Sequence, residues 1–263
     1  MLCAFARILA DVRGYLYFGS VWNLDSILDI ILFLFITILS YWISAIIHEL
    51  GHVIVGLVNG WKLFLFVVGP IGIKRKNGIL SLYFEKNLVM WGGVGGTFPV
   101  KENEDNIKIW SKILLSGPIA SIITGMIFLS LCFLHFHIFL LLLGLMPIGI
   151  GIACLLPLET GILYTDGKRW RRLHGGGQEE AEEIALWKMT EFQQFGKDKS
   201  LMQREDFEAL FDAKLPALRY YGYYYLYKYY DIQNDFDNRN QILEILNSIK
   251  KDVPKAIVND CEL

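Results

Sequence analysis

Three long apolar runs organise the chain. Residues 26–58, 107–134 and 138–157 are almost uniformly hydrophobic. Each is about as long as the ~20 residues a helix needs to cross the hydrocarbon of a bilayer, or longer. The pattern predicts three membrane-spanning helices. Asn59-Gly60 reads as the stop of the first, and Asn103-Glu104-Asp105-Asn106 as the cap of the second. His135-Phe136-His137 reads as a tight turn into the third.

The segment between the first two runs has a different character. Residues 62–68 are β-prone and end at Gly69-Pro70. Residues 71–76 and 79–84 flank Asn77-Gly78, a hairpin signal. A small sheet at the membrane surface is expected. Residues 90–99 hold Gly92-Gly93 and Gly95-Gly96, too many glycines for a regular helix. Backbone groups of such a loop would be unsatisfied in lipid, so it is expected to line protein or a water-filled cavity. It could hold an extended peptide as a sheet edge does.

The two ends read as separate parts. Leu2, Phe5, Ile8, Leu9, Val12 and Leu16 recur at helical spacing, interrupted by Arg7, Asp11 and Arg13, which suggests an interfacial amphipathic segment. From Gln178 the pattern is that of soluble helix, with segments expected near 178–195, 203–212, 216–233 and 238–251. Glu179, Glu180, Glu182 and Glu183 suit a helix N-terminus. The division expected is 1–26, an N-terminal segment; 27–174, a membrane core; and 175–263, a cytoplasmic helical domain. The fold class is an α-helical polytopic membrane protein with a three-helix core. A small β-hairpin and Gly-rich loop lie at its cytoplasmic face, and a C-terminal all-α domain follows.

Composition agrees with a membrane protein, since 54% of the 263 residues are hydrophobic. The net charge of −2 hides an asymmetry, because residues from Gly175 onward carry 11 Lys and Arg against 17 Asp and Glu. So acidic a tail weighs against nucleic-acid binding. Cys3, Cys132, Cys154 and Cys261 are scattered and read as free thiols. Lys168-Arg169 and Arg171-Arg172 follow the third run. Lys62, Lys74, Arg75, Lys76, Lys86 and Lys101 fall on the same side, with Arg7 and Arg13 on the other. By the excess of positive charge in cytoplasmic loops, the N-terminus is expected outside and the tail in the cytoplasm.

The first run contains the chemistry. In His48-Glu49-Leu50-Gly51-His52 the two His are four residues apart, on one helix face, and can present nitrogens to a single metal ion. An ionisable group in lipid costs about 2.5 kcal/mol or more. Three on neighbouring turns need a partner, and a metal supplies one. HExxH is the pattern of zinc hydrolases, in which Glu is the general base. A catalytic zinc takes three protein ligands and keeps one position open. Asp166 and Glu159 are the nearest candidates for the third.

Several of these features together resemble the site-2 protease family of intramembrane zinc metalloproteases. They are the HELGH on the first core span, the small sheet and Gly-rich loop, Gly117-Pro118 on the next span, Leu156-Pro157, and Asp166-Gly167. The resemblance covers roughly residues 27–173. It implies one Zn²⁺ per chain held by His48, His52 and Asp166, with Glu49 as the base. It implies hydrolysis of a peptide bond in or near a transmembrane segment or membrane-associated peptide, within a lipid bilayer. The tail would be free to meet a cytoplasmic protein partner. The chain departs from the family pattern at Cys154 and Ser121, where Asn is usual, and in a longer stretch between Pro157 and Asp166. The competing expectation is a non-catalytic membrane peptide-binding protein on the same scaffold. Transport is disfavoured by only three spans and no paired repeats.

Overall fold

A computed structural model of the chain describes residues 27–76, 78–101, 103, 105–159, 164–194 and 202–261. The interfacial segment expected at 1–26 lies outside them. Three helices are long and apolar enough to cross a membrane: α1, Ile27–Val58; α2, Asn106–Leu134; and α3, Ile138–Leu155. They pack on one another. Their large apolar side chains point away from the bundle. On α1, Ile27, Ile31, Leu34, Phe35 and Ile38 are exposed, while the buried stripe is Ser40, Ser44, Ala45, His48, Gly51, His52, Val53 and Gly56. Lipid solvates the apolar face, so small and polar residues line the helix contacts, as in membrane bundles. Gly51 packs against α2 so closely that a β-carbon would stand 2.6 Å from the Ser116 carbonyl oxygen.

After α1 the chain forms a four-stranded antiparallel sheet, larger than the hairpin expected. Its strands are β1 (Lys62–Val68), β2 (Ile71–Lys76), β3 (Ile79–Phe84) and β4 (Val94–Phe98), in the order β3-β2-β1-β4. The β2–β3 register closes at Lys76 opposite Ile79, as a two-residue turn requires. The glycine-rich stretch is only partly a loop. Leu88–Gly92 is a 3₁₀ turn, and Val94–Phe98 pairs with β1 from Val67↔Val94 to Lys62↔Phe98, with an irregularity between Leu63 and Leu65. Its glycines are tolerated in a strand because β1 supplies a paired edge and β4 also packs on α1.

Asp105 stands at the N-cap of α2 but its side chain makes no capping bond. It pairs instead with Lys108 at 2.7 Å, and Asn103 Oδ1 accepts from the Asp105 N–H. Past α3, a short helix α4 (Asp166–His174) leads to α5 (Gly177–Gln194), α6 (Pro216–Ile232), α7 (Phe236–Ile249) and the short α8 (Lys255–Asp260). The helix expected near 203–212 is instead two 3₁₀ turns, Arg204–Asp206 and Glu208–Leu210. Residues three apart eclipse in 3₁₀ geometry. That geometry brings Phe207 and Leu210 into one core, and both are fully buried.

The tail helices build their own apolar core, in which Tyr220, Tyr225, Leu218 and Leu246 are buried. A separate small cluster joins the tail to the membrane core, with Trp187 of α5 packed against Trp61 and Ile113. The basic residues of α4 and the acidic residues of α5 seal this junction. Arg172 pairs with Glu182 and lies 3.6 Å from Glu183, and all three are buried.

Candidate metal centre

His48 and His52 both face inward on α1 and are buried. Their Nε2 atoms are 3.3 Å apart. Asp166 opens α4, and its Oδ2 lies 3.3 Å from His48 Nε2 and 3.5 Å from His52 Nε2. The three atoms form a nearly equilateral triangle. Four ligands around a tetrahedral zinc at ~2.0–2.1 Å stand about 3.3–3.4 Å apart. Two imidazoles and a carboxylate are also a donor set that zinc takes in catalytic sites. Donor types and spacing both fit that ion.

The rings are held from behind. The Ile113 carbonyl oxygen lies 2.6 Å from His52 Nδ1 and can only accept. Nδ1 therefore carries the proton and Nε2 keeps its lone pair for a metal. Pro118, without an N–H, releases the Leu114 carbonyl, a neighbour of the one His52 uses. His48 Nδ1 lies 3.0 Å from the fully buried Ser121 hydroxyl. Ser121, at a departure from the family pattern, thus orients a ring of the triangle. Gly117 is required at the crossing, since any β-carbon there would collide with the His52 ring.

Asp166 is brought in by a side-chain cap and a close backbone contact. Thr165 caps α4, its Oγ1 accepting from Lys168 N at 3.4 Å and donating to the Leu156 carbonyl at 2.6 Å. Gly167 then lies against the Leu155 carbonyl so tightly that no β-carbon fits. Burial pushes the Asp166 carboxyl up. With both rings protonated, hydrogen bonds from His48 and His52, with their charge, outweigh it and hold the group well below the usual carboxylate range.

Glu49 projects beside this triangle, close enough to interact electrostatically with His48, His52 and Asp166. The backbone of β4 covers it. A β-carbon on Gly95 would stand 2.9 Å from Glu49 Oε2, so only a glycine lets the strand approach the carboxylate. Glu159, the other acidic candidate, is turned away. Its side chain is 57% exposed and stands 3.9 Å from Lys168 Nζ. The sequence reading missed Ser121, Ile113 and Thr165 as supports, and took the basic run of α4 only as a sign of orientation. A cavity of about 370 Å³ opens beside β4, with Val94, Gly95, Gly96, Trp110, Trp187 and Tyr221 among its walls.

Three helices long and apolar enough to cross a membrane gather around this cluster, an arrangement that fits a membrane metalloprotease. Residues 35–259 match the family model Peptidase family M50, the site-2 protease family, and the chain belongs to it. Members are zinc-dependent membrane hydrolases in general. The match runs through the tail, beyond residues 27–173 on which the resemblance rested. No curated protein and no solved structure matches the chain.

Proposed function

We propose that the protein is an intramembrane zinc endopeptidase that cuts a membrane-embedded or membrane-tethered peptide, with His48, His52 and Asp166 as ligands and Glu49 as the base. The observation that carries this reading is the triangle of 3.3, 3.3 and 3.5 Å among the two Nε2 atoms and Asp166 Oδ2. Zinc, when bound, would supply the Lewis acidity that activates water and polarises a scissile carbonyl. Glu49 takes a proton from the attacking water and passes it to the leaving amide nitrogen. Its carboxylate lies between α1 and β4, next to where a carbonyl would be presented.

A helix conceals its carbonyls in its own hydrogen bonds, so the substrate must be extended before it is cut. The cavity beside β4 suits an extended chain: one wall is strand, from β1 and β4, and the others are mostly apolar side chains of α2, α5 and α6, with Arg169 of α4 among them. Trp110, on that wall, has a buried indole N–H with no partner among the described residues. A peptide carbonyl would satisfy it. Replacing Gly92 and Gly93 with bulky residues should impair cleavage while zinc stays bound.

The chain sits in the cell membrane in this reading. The metal centre lies near the cytoplasmic face and residues 175–263 form a cytoplasmic domain. The basic residues at 62–101 and 168–172 support that orientation. Exposed Ile79, Leu82 and Phe84 support a sheet lying against lipid. The tail offers a surface to a cytoplasmic protein partner.

The test is a comparison of membrane peptides from cells carrying the wild type or Glu49→Gln, with zinc content measured on both purified proteins. We expect one zinc per chain in each and a cleaved peptide only with the wild type. Equal cleavage by Glu49→Gln would remove the base assignment. Equal binding of the peptide without cleavage by either would favour the non-catalytic scaffold.

A further inference from the structure

Cys154 lies on the last turn of α3, three residues before Pro157. Its Sγ, a ligand nitrogen of His48 and a carboxylate oxygen of Asp166 all stand within 4.8 Å of one another. The backbone contact of Gly167 with the Leu155 carbonyl explains why. It joins the start of α4 to the end of α3 and so brings the preceding residues, Asp166 and Cys154, together. The other described cysteines, Cys132 and Cys261, are buried, whereas Cys154 is half-buried among donor atoms. A thiolate is a strong zinc ligand, bonding at about 2.3 Å. From His48 and Asp166 the separation is at most about 1.3 Å longer than the ligand–ligand edge of a zinc tetrahedron that includes sulfur. A change in the Cys154 side-chain torsion covers a distance of that order.

We propose that Cys154 is a fourth, displaceable zinc ligand that closes the coordination position hydrolysis needs open. The inference rests on the reading of His48, His52 and Asp166 as the other three. Coordination breaks the S–H bond and releases its proton to solvent. A docked substrate displaces the sulfur, which takes a proton back, and the position opens to water. The resting enzyme is then latent, and a peptide seated against β4 relieves the latency. Asn, usual at this position, has no soft donor and cannot close the site in this way.

The test uses full-length protein in detergent loaded with Zn²⁺ and, separately, with Co²⁺. X-ray absorption of the zinc-loaded wild type should show one sulfur neighbour at about 2.3 Å beside nitrogen and oxygen. Cys154→Ser should lose the sulfur and keep one zinc per chain. The cobalt-loaded wild type should show a thiolate charge-transfer band in the near ultraviolet that the variant lacks. A maleimide should modify Cys154 at least tenfold faster after zinc is chelated, read by peptide mass. A wild-type zinc shell of nitrogen and oxygen only, or equal maleimide rates, would overturn the inference and leave the three-ligand reading standing. Equal zinc content in the wild type and His48→Ala would instead overturn the three-ligand reading.

Discussion

Arg169 Nε donates to Glu183 Oε1 at 2.6 Å. The bond ties α4, which begins three residues earlier with Asp166, to a fully buried carboxylate of the tail helix α5. The tail thereby holds the element that carries the third candidate ligand. Removing one partner of a buried ion pair strands the other and costs about 3–5 kcal/mol. Glu183→Ala should therefore lower the unfolding free energy of the full chain in detergent by that amount, and weaken zinc retention with it. A loss under about 0.5 kcal/mol would mean that Arg169 and Arg172 find other partners.

Gly117 gives the sharpest steric test. Ala at this position adds one carbon where the His52 ring lies. The ring must shift or α1 and α2 must part. Displacing a metal-binding His from its supports costs affinity by about 10–100-fold. Gly117→Ala should show that loss in competition with a chelating dye, at unchanged helical circular dichroism. Wild-type affinity would show that the ring accommodates the methyl.

Ser121 can be tested without a steric change. Ser121→Ala removes the hydroxyl 3.0 Å from His48 Nδ1 and leaves the packing almost intact. Zinc affinity should fall by roughly 10–100-fold, as for other groups that orient a metal-binding His. An unchanged affinity would assign the orientation of His48 to packing alone.

The sheet carries a pH dependence of its own. Burial, and then the Glu85 carboxylate that accepts from its hydroxyl at 2.9 Å, push the Tyr83 phenol up to about 12. The folded state then holds a proton that the unfolded chain releases near pH 10. The stabilisation from Tyr83 is complete below pH 10 and is lost as pH rises towards 12. Tyr83→Phe should flatten the alkaline limb of a stability–pH curve over that window. An identical limb in wild type and variant would remove the assignment. At the acid end, backbone hydrogen bonding from Asn87 and the Tyr83 hydroxyl lower the Glu85 carboxyl, so its contribution is lost as pH falls.

The elements most legible in the sequence were those whose burial is set by the solvent around them. The three spans follow from length and apolarity because a bilayer requires a helix of about that extent. The β2–β3 hairpin follows from Asn77-Gly78, whose turn chemistry acts locally. β4 was not legible, because Gly95 and Gly96 have low intrinsic strand preference. It is a strand only because β1 and α1 lie beside it, and its Gly95 makes room for Glu49. The 203–212 segment was misjudged for a related reason: Phe207 and Leu210 suit a helix face, and the neighbouring core selects the tighter 3₁₀ geometry.

The sequence by itself determined that this is a membrane protein with a helix bearing His48, Glu49 and His52, because four-residue spacing and hydrophobic length are properties of one element. Only the tertiary structure decided how Asp166, 118 residues from His48, reaches the two rings while Glu159 turns towards Lys168. It also decided that Ser121, Ile113 and Gly117 hold those rings, and that Cys154 stands among the donor atoms. The physical reason is that periodicity shows which face of an element is buried, whereas the groups that meet across faces depend on how closely the backbones approach. Here Gly117 and Gly167 set that approach.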